Sequence, residues 1–241
     1  MTASTATARP GRPVLPVWAP PVPPGRALVV VAHPDDEVLA LGPVVTTLDA
    51  AGWVLDLLVL TDGEAAYPAL DAAGRARLAA VRRDELDAAW AALLPGAGHR
   101  GGRVLRAGLP DARLPDVAAA VRGAVDAAAA ASPPDLVVGL WPHDPHHDHA
   151  GAALAAVALA ARLAVPSVQA PLWARVWWGD DDARLPWATA SRVPVAGPAA
   201  GRLAAALAAH ASQVQGFEGH GPLLGPDDLA ALAGDGLVVT A

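Results

Sequence analysis

Apolar and polar positions fall in blocks along this chain rather than alternating residue by residue. The runs Ala27 to Ala32, Val54 to Leu60, Arg103 to Arg106 and Asp135 to Trp141 are short and rich in aliphatic residues. Such runs read as strands buried on both faces, as in a parallel sheet. Longer Ala- and Leu-rich stretches separate them, with helix punctuation at their ends. Val44 to Ala51 has Gly42-Pro43 before it and Gly52 behind it, the expected order for a helix. Gly74 to Leu94 stops at Pro95-Gly96, Leu114 to Ala131 stops at Ser132-Pro133-Pro134, and a further helix runs from Asp148 to about Ala164. The stretches 33–42 and 65–73 read as loops. Strands alternating with helices at this spacing predict an α/β fold, a Rossmann-like three-layer sandwich around a mainly parallel sheet. The later part is less regular. Leu172 to Trp178 reads as a strand, Pro198 to Gln213 as a helix and Leu237 to Thr240 as a short final strand. Trp173, Trp177 and Trp178 fit core positions better than an interface or a pocket wall.

Composition narrows this. At 241 residues, 54% hydrophobic and 17% charged, the chain suits one globular domain, placed at residues 25–241. Residues 1–24 are Thr/Ala-rich and then Pro-rich, and read as an extended or disordered leader that packs near Trp18. This leader lacks the charged and apolar regions of a secretory signal, and the longest apolar stretches are too short to span a bilayer. A soluble, cytoplasmic protein is expected. A net charge of −7 with no basic stripe argues against nucleic acid as a partner. There is no cysteine, so any metal would have to be held by His, Asp or Glu.

Two places concentrate those residue types. His33-Pro34-Asp35-Asp36-Glu37 directly follows the first predicted strand, where ligands gather in parallel sheets. Three carboxylates in five residues repel one another unless a cation or a proton intervenes. His33 and Asp36 offer the nitrogen and oxygen donors that suit Zn²⁺. The second place, His143-Asp144-Pro145-His146-His147-Asp148-His149, also follows a predicted strand and holds four of the eight histidines. No Gly-x-Gly-x-x-Gly follows the first strand, which disfavours a nucleotide-binding reading.

The Ala-His-Pro-Asp-Asp-Glu run with a later His-x-Asp-His (His146, Asp148, His149) resembles the PIG-L/LmbE family of zinc-dependent N-acetylglucosaminyl deacetylases. Supporting similarities are Thr61-Asp62-Gly63-Glu64, Arg82-x-x-Glu85, Gly108-Leu109-Pro110-Asp111 and His210-Ala211-Ser212-Gln213, in family order from residue 27 to about 215. The resemblance implies one Zn²⁺ per chain, or another divalent metal, held by His33, Asp36 and His149. Three protein ligands would leave a position open for water. It further implies Asp35 as general base and His146 as the second catalytic residue, with Asp148 holding the other nitrogen of His146. Glu64, Arg82 and Asp111 would lie near the substrate, although an Arg82–Glu85 pair on a helix surface is nearly as good a reading. His147 stands where the family usually has Pro, so His147 and His143 compete as ligands. The implied activity is removal of an N-acetyl group from an N-acetylglucosamine-type glycoconjugate, a small amino-sugar conjugate. Cleavage of a larger amide and a non-catalytic metal-binding protein are the alternatives. Nothing here sets the oligomeric state.

Overall fold

The structure is a computed structural model and describes residues 14–96, 100–179 and 182–240. The four apolar runs form one half of a seven-stranded sheet. In chain order the strands are β1 (Arg26–Val31), β2 (Val54–Thr61), β3 (Val104–Leu109), β4 (Leu136–Leu140), β5 (Ser167–Ala170), β6 (Ala190–Val193) and β7 (Gly236–Thr240). Their spatial order is β3-β2-β1-β4-β5-β7-β6. The first five are parallel, whereas β7 runs antiparallel to both β5 and β6. Helices α2 (Gly42–Ala50), α3 (Ala72–Leu93), α4 (Ala118–Ala131), α5 (His147–Leu163) and α7 (Pro198–Ala209) flank the sheet. This is the expected three-layer α/β sandwich with a mostly parallel sheet. No helix among the described residues is long and apolar enough to cross a membrane.

β1 sits at the centre of the five parallel strands, with Ala27 in register with Leu55 on one side and Leu136 on the other. Every residue of β4, and all of β1 but Arg26, is buried. A strand covered on both faces tolerates no polar alternation, which is why these two were readable. From β1 the chain winds first one way, to β2 and β3, and then the other, to β4 and β5. The crevice opens where that direction reverses, at the carboxyl ends of β1 and β4.

Several elements differ from the sequence reading. Leu172 to Trp178 is not a strand but the short helix α6 (Trp173–Trp178). Trp173 and Trp177 stack with ring centroids 5.2 Å apart, a contact that four-residue spacing allows on a helix and not along a strand. The predicted helix over 198–213 breaks at His210, whose backbone leaves helical geometry (ψ 54°), and resumes as the single turn α8 (Ala211–Val214). The loop after β1 contains one helical turn, α1 (Asp36–Leu39). Helix α3 starts at Ala72 because the Asp71 carboxylate accepts from Gly74 N at 2.7 Å and caps it. Strand β6 and helix α9 (Pro226–Leu232) had no clear signal in the pattern. Of the leader, residues 1–13 lie outside the described residues. Val17 bridges to Arg192 beside β6, and Trp18 is buried.

Candidate metal centre and active site

The site forms where the β1 loop meets the β4 loop and the first turn of α5. Asp36 turns its carboxylate back over the end of β1. Its Oδ2 accepts from Ala32 N at 3.1 Å and from His33 N at 2.9 Å. Its Oδ1 lies 3.2 Å from His149 Nε2. His33 lies alongside, with Nδ1 3.6 Å from Asp36 Oδ2. One ligand atom from each of His33, Asp36 and His149 falls within 4.8 Å of the others, and all three residues are buried. A second trio that could hold an ion, His33, Asp111 and Asp148, shares His33.

One observation tests whether the first trio suits a cation. His149 is fully buried, yet neither of its ring nitrogens makes a hydrogen bond. Buried nitrogens are rarely left orphaned. An imidazole nitrogen that faces a carboxylate oxygen at 3.2 Å without bonding it is placed as two ligands of one ion are. The donor set, two imidazoles and a carboxylate without sulfur, suits zinc.

The electrostatics point the same way. Burial opposes a charge on His149, but Asp36 and Asp144 lift its pKa to about 9. Burial opposes a charge on His33 too, and there Asp111, Asp148 and Asp36 raise the pKa well above the imidazole range. Burial would raise Asp36, but His149 and His33 hold it well below the carboxylate range. The carboxylates thus hold positive charge at the positions where a divalent cation would supply it.

Asp35 adopts φ 113°, a left-handed conformation that costs energy in a non-glycine residue. Two supports hold it there. Its backbone N–H donates to Glu37 Oε2 at 2.9 Å, and Glu37 Oε1 lies 2.6 Å from His210 Nε2, both side chains being fully buried. The Asp35 side chain accepts from Arg82 Nη2 at 3.1 Å. Burial pushes its carboxyl up to about 6, against the pull of Arg82 and with the repulsion of Asp36. Arg82 is buried, and its guanidinium also donates to the carbonyls of Pro34 and Gly63. A Cβ at Gly63 would collide with that guanidinium. Glu85 does not pair with Arg82. It accepts from Ser212 N at 2.7 Å and from Ser212 Oγ at 2.6 Å, tying α3 to α8.

A cavity of about 320 Å³ opens above these groups. The polar part of its lining, the inner side, is made by His33, Asp35, Asp36, Arg82, Asp111, His146 and Gln213, and the large apolar part, the outer side, by Trp173, Trp177, Leu223 and Leu224. Asp111 is anchored, with Oδ2 accepting from Ala65 N at 2.7 Å and Oδ1 lying 3.1 Å from His33 Nε2. Burial would raise its carboxyl, but His33 holds it well below the usual range. Glu64 stands one step behind, accepting from Asp111 N at 3.0 Å.

Asp148 does not hold His146. Its Oδ1 accepts from Leu114 N at 2.9 Å, its Oδ2 lies 3.4 Å from His33 Nε2, and His146 Nδ1 is buried without a partner. His146 precedes α5 in extended geometry, while Asp148 sits in the first turn and faces inward. Burial, reinforced by His149 and His33, lowers the His146 pKa to about 4. His147 is exposed, with Nε2 3.1 Å from Ala112 O, and His143 is exposed against Trp141, so neither joins the ligand trios.

Asp144 had no role of its own in the sequence reading, and Trp173 and Trp177, expected in the core, line the cavity instead. Asp144 is buried, with Oδ1 3.5 Å from His149 Nδ1 and accepting from His146 N at 3.1 Å, while Oδ2 accepts from Leu172 N at 2.9 Å. Its place within the histidine-rich run was the available signal. For the two tryptophans the signal was their four-residue spacing. The third Trp, Trp178, packs against Trp141 in a small separate cluster.

Comparison with known proteins identifies relatives of the chain. The family model described as "PIG-L: GlcNAc-PI de-N-acetylase" matches residues 28–160. A curated relative, 1D-myo-inositol 2-acetamido-2-deoxy-alpha-D-glucopyranoside deacetylase 1 of Catenulispora acidiphila, is 43% identical over 89 residues. That match covers 36% of this chain and spans only 25% of the relative's length. Among solved structures, the A40926 pseudoaglycone deacetylase Dbv21 is similar with TM-score 0.64 at 23% identity, covering 91% of this chain and 97% of that one. A conserved protein of Thermus thermophilus has TM-score 0.61 at 21% identity, covering 88% and 93%. The structural likenesses establish the shared fold.

Proposed function

The chain belongs to the PIG-L family, and from that membership we propose that it is a zinc-dependent hydrolase removing the N-acetyl group from an N-acetylglucosamine-type conjugate. The observation that carries this reading is the buried His33, Asp36 and His149 trio, opening into a cavity that also holds Asp35 and His146. A zinc ion held by that trio would supply Lewis acidity, polarising an acyl oxygen and acidifying a coordinated water.

The chain's own residues divide the remaining work. Asp35, next in sequence to a ligand but facing the cavity, takes the proton of the attacking water and returns it to the departing amine. A carboxyl pushed up to about 6 by burial is better matched to that task at neutral pH than an ordinary one. His146, with its pKa lowered to about 4, is neutral and offers an N–H to the oxyanion that forms at the attacked carbonyl. Arg82 and the Glu37–His210 pair hold Asp35 in its strained conformation. Asp111 and Arg82 stand on the cavity wall as the groups nearest a hydroxyl-rich substrate, and Glu64 keeps Asp111 in place. Asp148 keeps the His33 ring in position.

Acetate release by the zinc-loaded protein, followed across a panel of N-acetylglucosamine conjugates with mass spectrometry of the products, tests the proposal. The expected result is acetate and a free amine from at least one conjugate. Cleavage of a peptide-like amide with every acetyl group intact would replace the deacetylase with an amidase.

A further inference from the structure

Every polar side chain that lines the cavity, Gln213 included, is buried or half-buried, and its exposed mouth is apolar. Of the few large hydrophobic side chains that remain exposed among the described residues, Trp177 at 55% and Leu223 at 37% both lie at this mouth. The rings of His146, Trp173 and Trp177 continue one another along a single wall. His146 and Trp173 lie at 26° with centroids 6.5 Å apart, and Trp173 and Trp177 at 29° and 5.2 Å. Trp173 covers one face of Trp177, while more than half of Trp177 stays open. An aromatic face left uncovered beside a reaction centre loses nothing by being covered by substrate, and much of its area is available for burial.

The mouth also lacks a free cation. Arg82 is the one arginine lining the cavity among the described residues, and both of its terminal nitrogens are engaged by Gly63, Pro34 and Asp35. The chain contains no lysine. A phosphate placed at the mouth would therefore be desolvated without an uncommitted cationic partner.

We propose that Trp177, backed by Trp173, is a stacking subsite for a neutral ring with a flat apolar face, carried by the substrate one ring beyond the acylated amino sugar. This rests on the deacetylase reading and deepens it: the favoured substrates are aryl glycosides or glycosides of a second pyranose, and not phosphate esters at the same position. The ring recognised is either a π face or the C–H face of a sugar. Both present the same flat surface to an indole.

The test uses the zinc-loaded full-length protein and calorimetric titration with free-amine ligands, so that nothing turns over. The ligands are the methyl and phenyl β-glycosides of glucosamine, its β-linked disaccharide, and glucosamine 1-phosphate. Phenyl glycoside or disaccharide should bind about tenfold more tightly than the methyl glycoside, in line with aromatic stacking. Trp177→Ala should shrink that ratio to within about twofold, and Trp177→Phe should keep part of it. Leu154→Ala, which removes another exposed apolar side chain away from the cavity, should leave the ratio intact. Gain with the phenyl glycoside alone identifies the π face, and gain with the disaccharide alone the C–H face. Equal binding of methyl, phenyl and disaccharide ligands, a ratio that survives Trp177→Ala, or tightest binding of the phosphate would overturn the subsite. Acetate release from the N-acetylated counterparts separates the two ideas. A binding ratio without acetate release removes the deacetylase and leaves the subsite. Acetate release without the ratio does the reverse.

Discussion

The two sides of the cavity are built on opposite principles. The inner side uses charged side chains that are buried, paired with one another and fixed by backbone N–H groups at the ends of β1 and β4. The outer side uses apolar side chains, Trp177 and Leu223 exposed over half-buried Trp173 and buried Leu224, held by a six-residue helix and the segment around Leu223. Chemistry that depends on fractions of an ångström sits where a two-sided sheet fixes the backbone. The proposed selection, which needs area and tolerates movement, would sit on a short element outside the parallel part of the sheet. Asp144 joins the two, because its carboxylate meets His149 on one side and the start of α6 on the other.

The comparison breaks most severely at a ligand. His149→Ala should reduce bound metal from about one ion per chain to a trace and abolish acetate release, as elemental analysis beside an activity assay would record. Metal retained at the wild-type level would move the ligand elsewhere in the histidine-rich run. Asp35→Asn should keep the metal and lower kcat by about 10²–10⁴. If metal leaves with that carboxylate, Asp35 is itself a ligand and the division between binding and chemistry fails.

Asp144→Ala probes the joint between the two sides. It leaves the N–H groups of Leu172 and His146 without their carboxylate partner, and it removes the group beside His149 Nδ1. Metal affinity should weaken about 10–100-fold, as losses behind a ligand usually cause, and preference for a bulky aglycone should fall with it. Metal weakened with selectivity unchanged would show the outer wall to be independent of the inner. Leu223→Ala should do least. It trims apolar area at the mouth, so KM for a conjugate should rise no more than about fivefold while kcat stays near wild type. A larger fall in kcat would place Leu223 in the closing of the site rather than at its rim.

The fold and the inner site were legible in the sequence for a shared reason. Strands β1 and β4 announce themselves because burial on both faces excludes polar residues, and a cluster of histidines and carboxylates beside such a run has few inexpensive uses. Helix α6 was misread because Trp173, Trp177 and Trp178 suit a strand by composition, and only their contacts across one helical turn decide otherwise. The end of α7 was missed because nothing local breaks the helix there. His210 leaves it to meet Glu37, 173 residues away in sequence.

What the sequence by itself determined, then, is the alternation of β1 to β4 with the helices that follow them, the two motifs and the residue types able to hold a metal. Those follow from periodicity and from donor chemistry, which are local. Only the tertiary structure decided which histidine each carboxylate serves, turning Asp148 toward His33 and Asp144 toward His149. It also decided that Arg82 is buried against Asp35 and that two tryptophans face a cavity. Those outcomes depend on the register of β1 against β4 and on how α5 and α6 meet the ends of those strands, and spacing along a chain does not encode them.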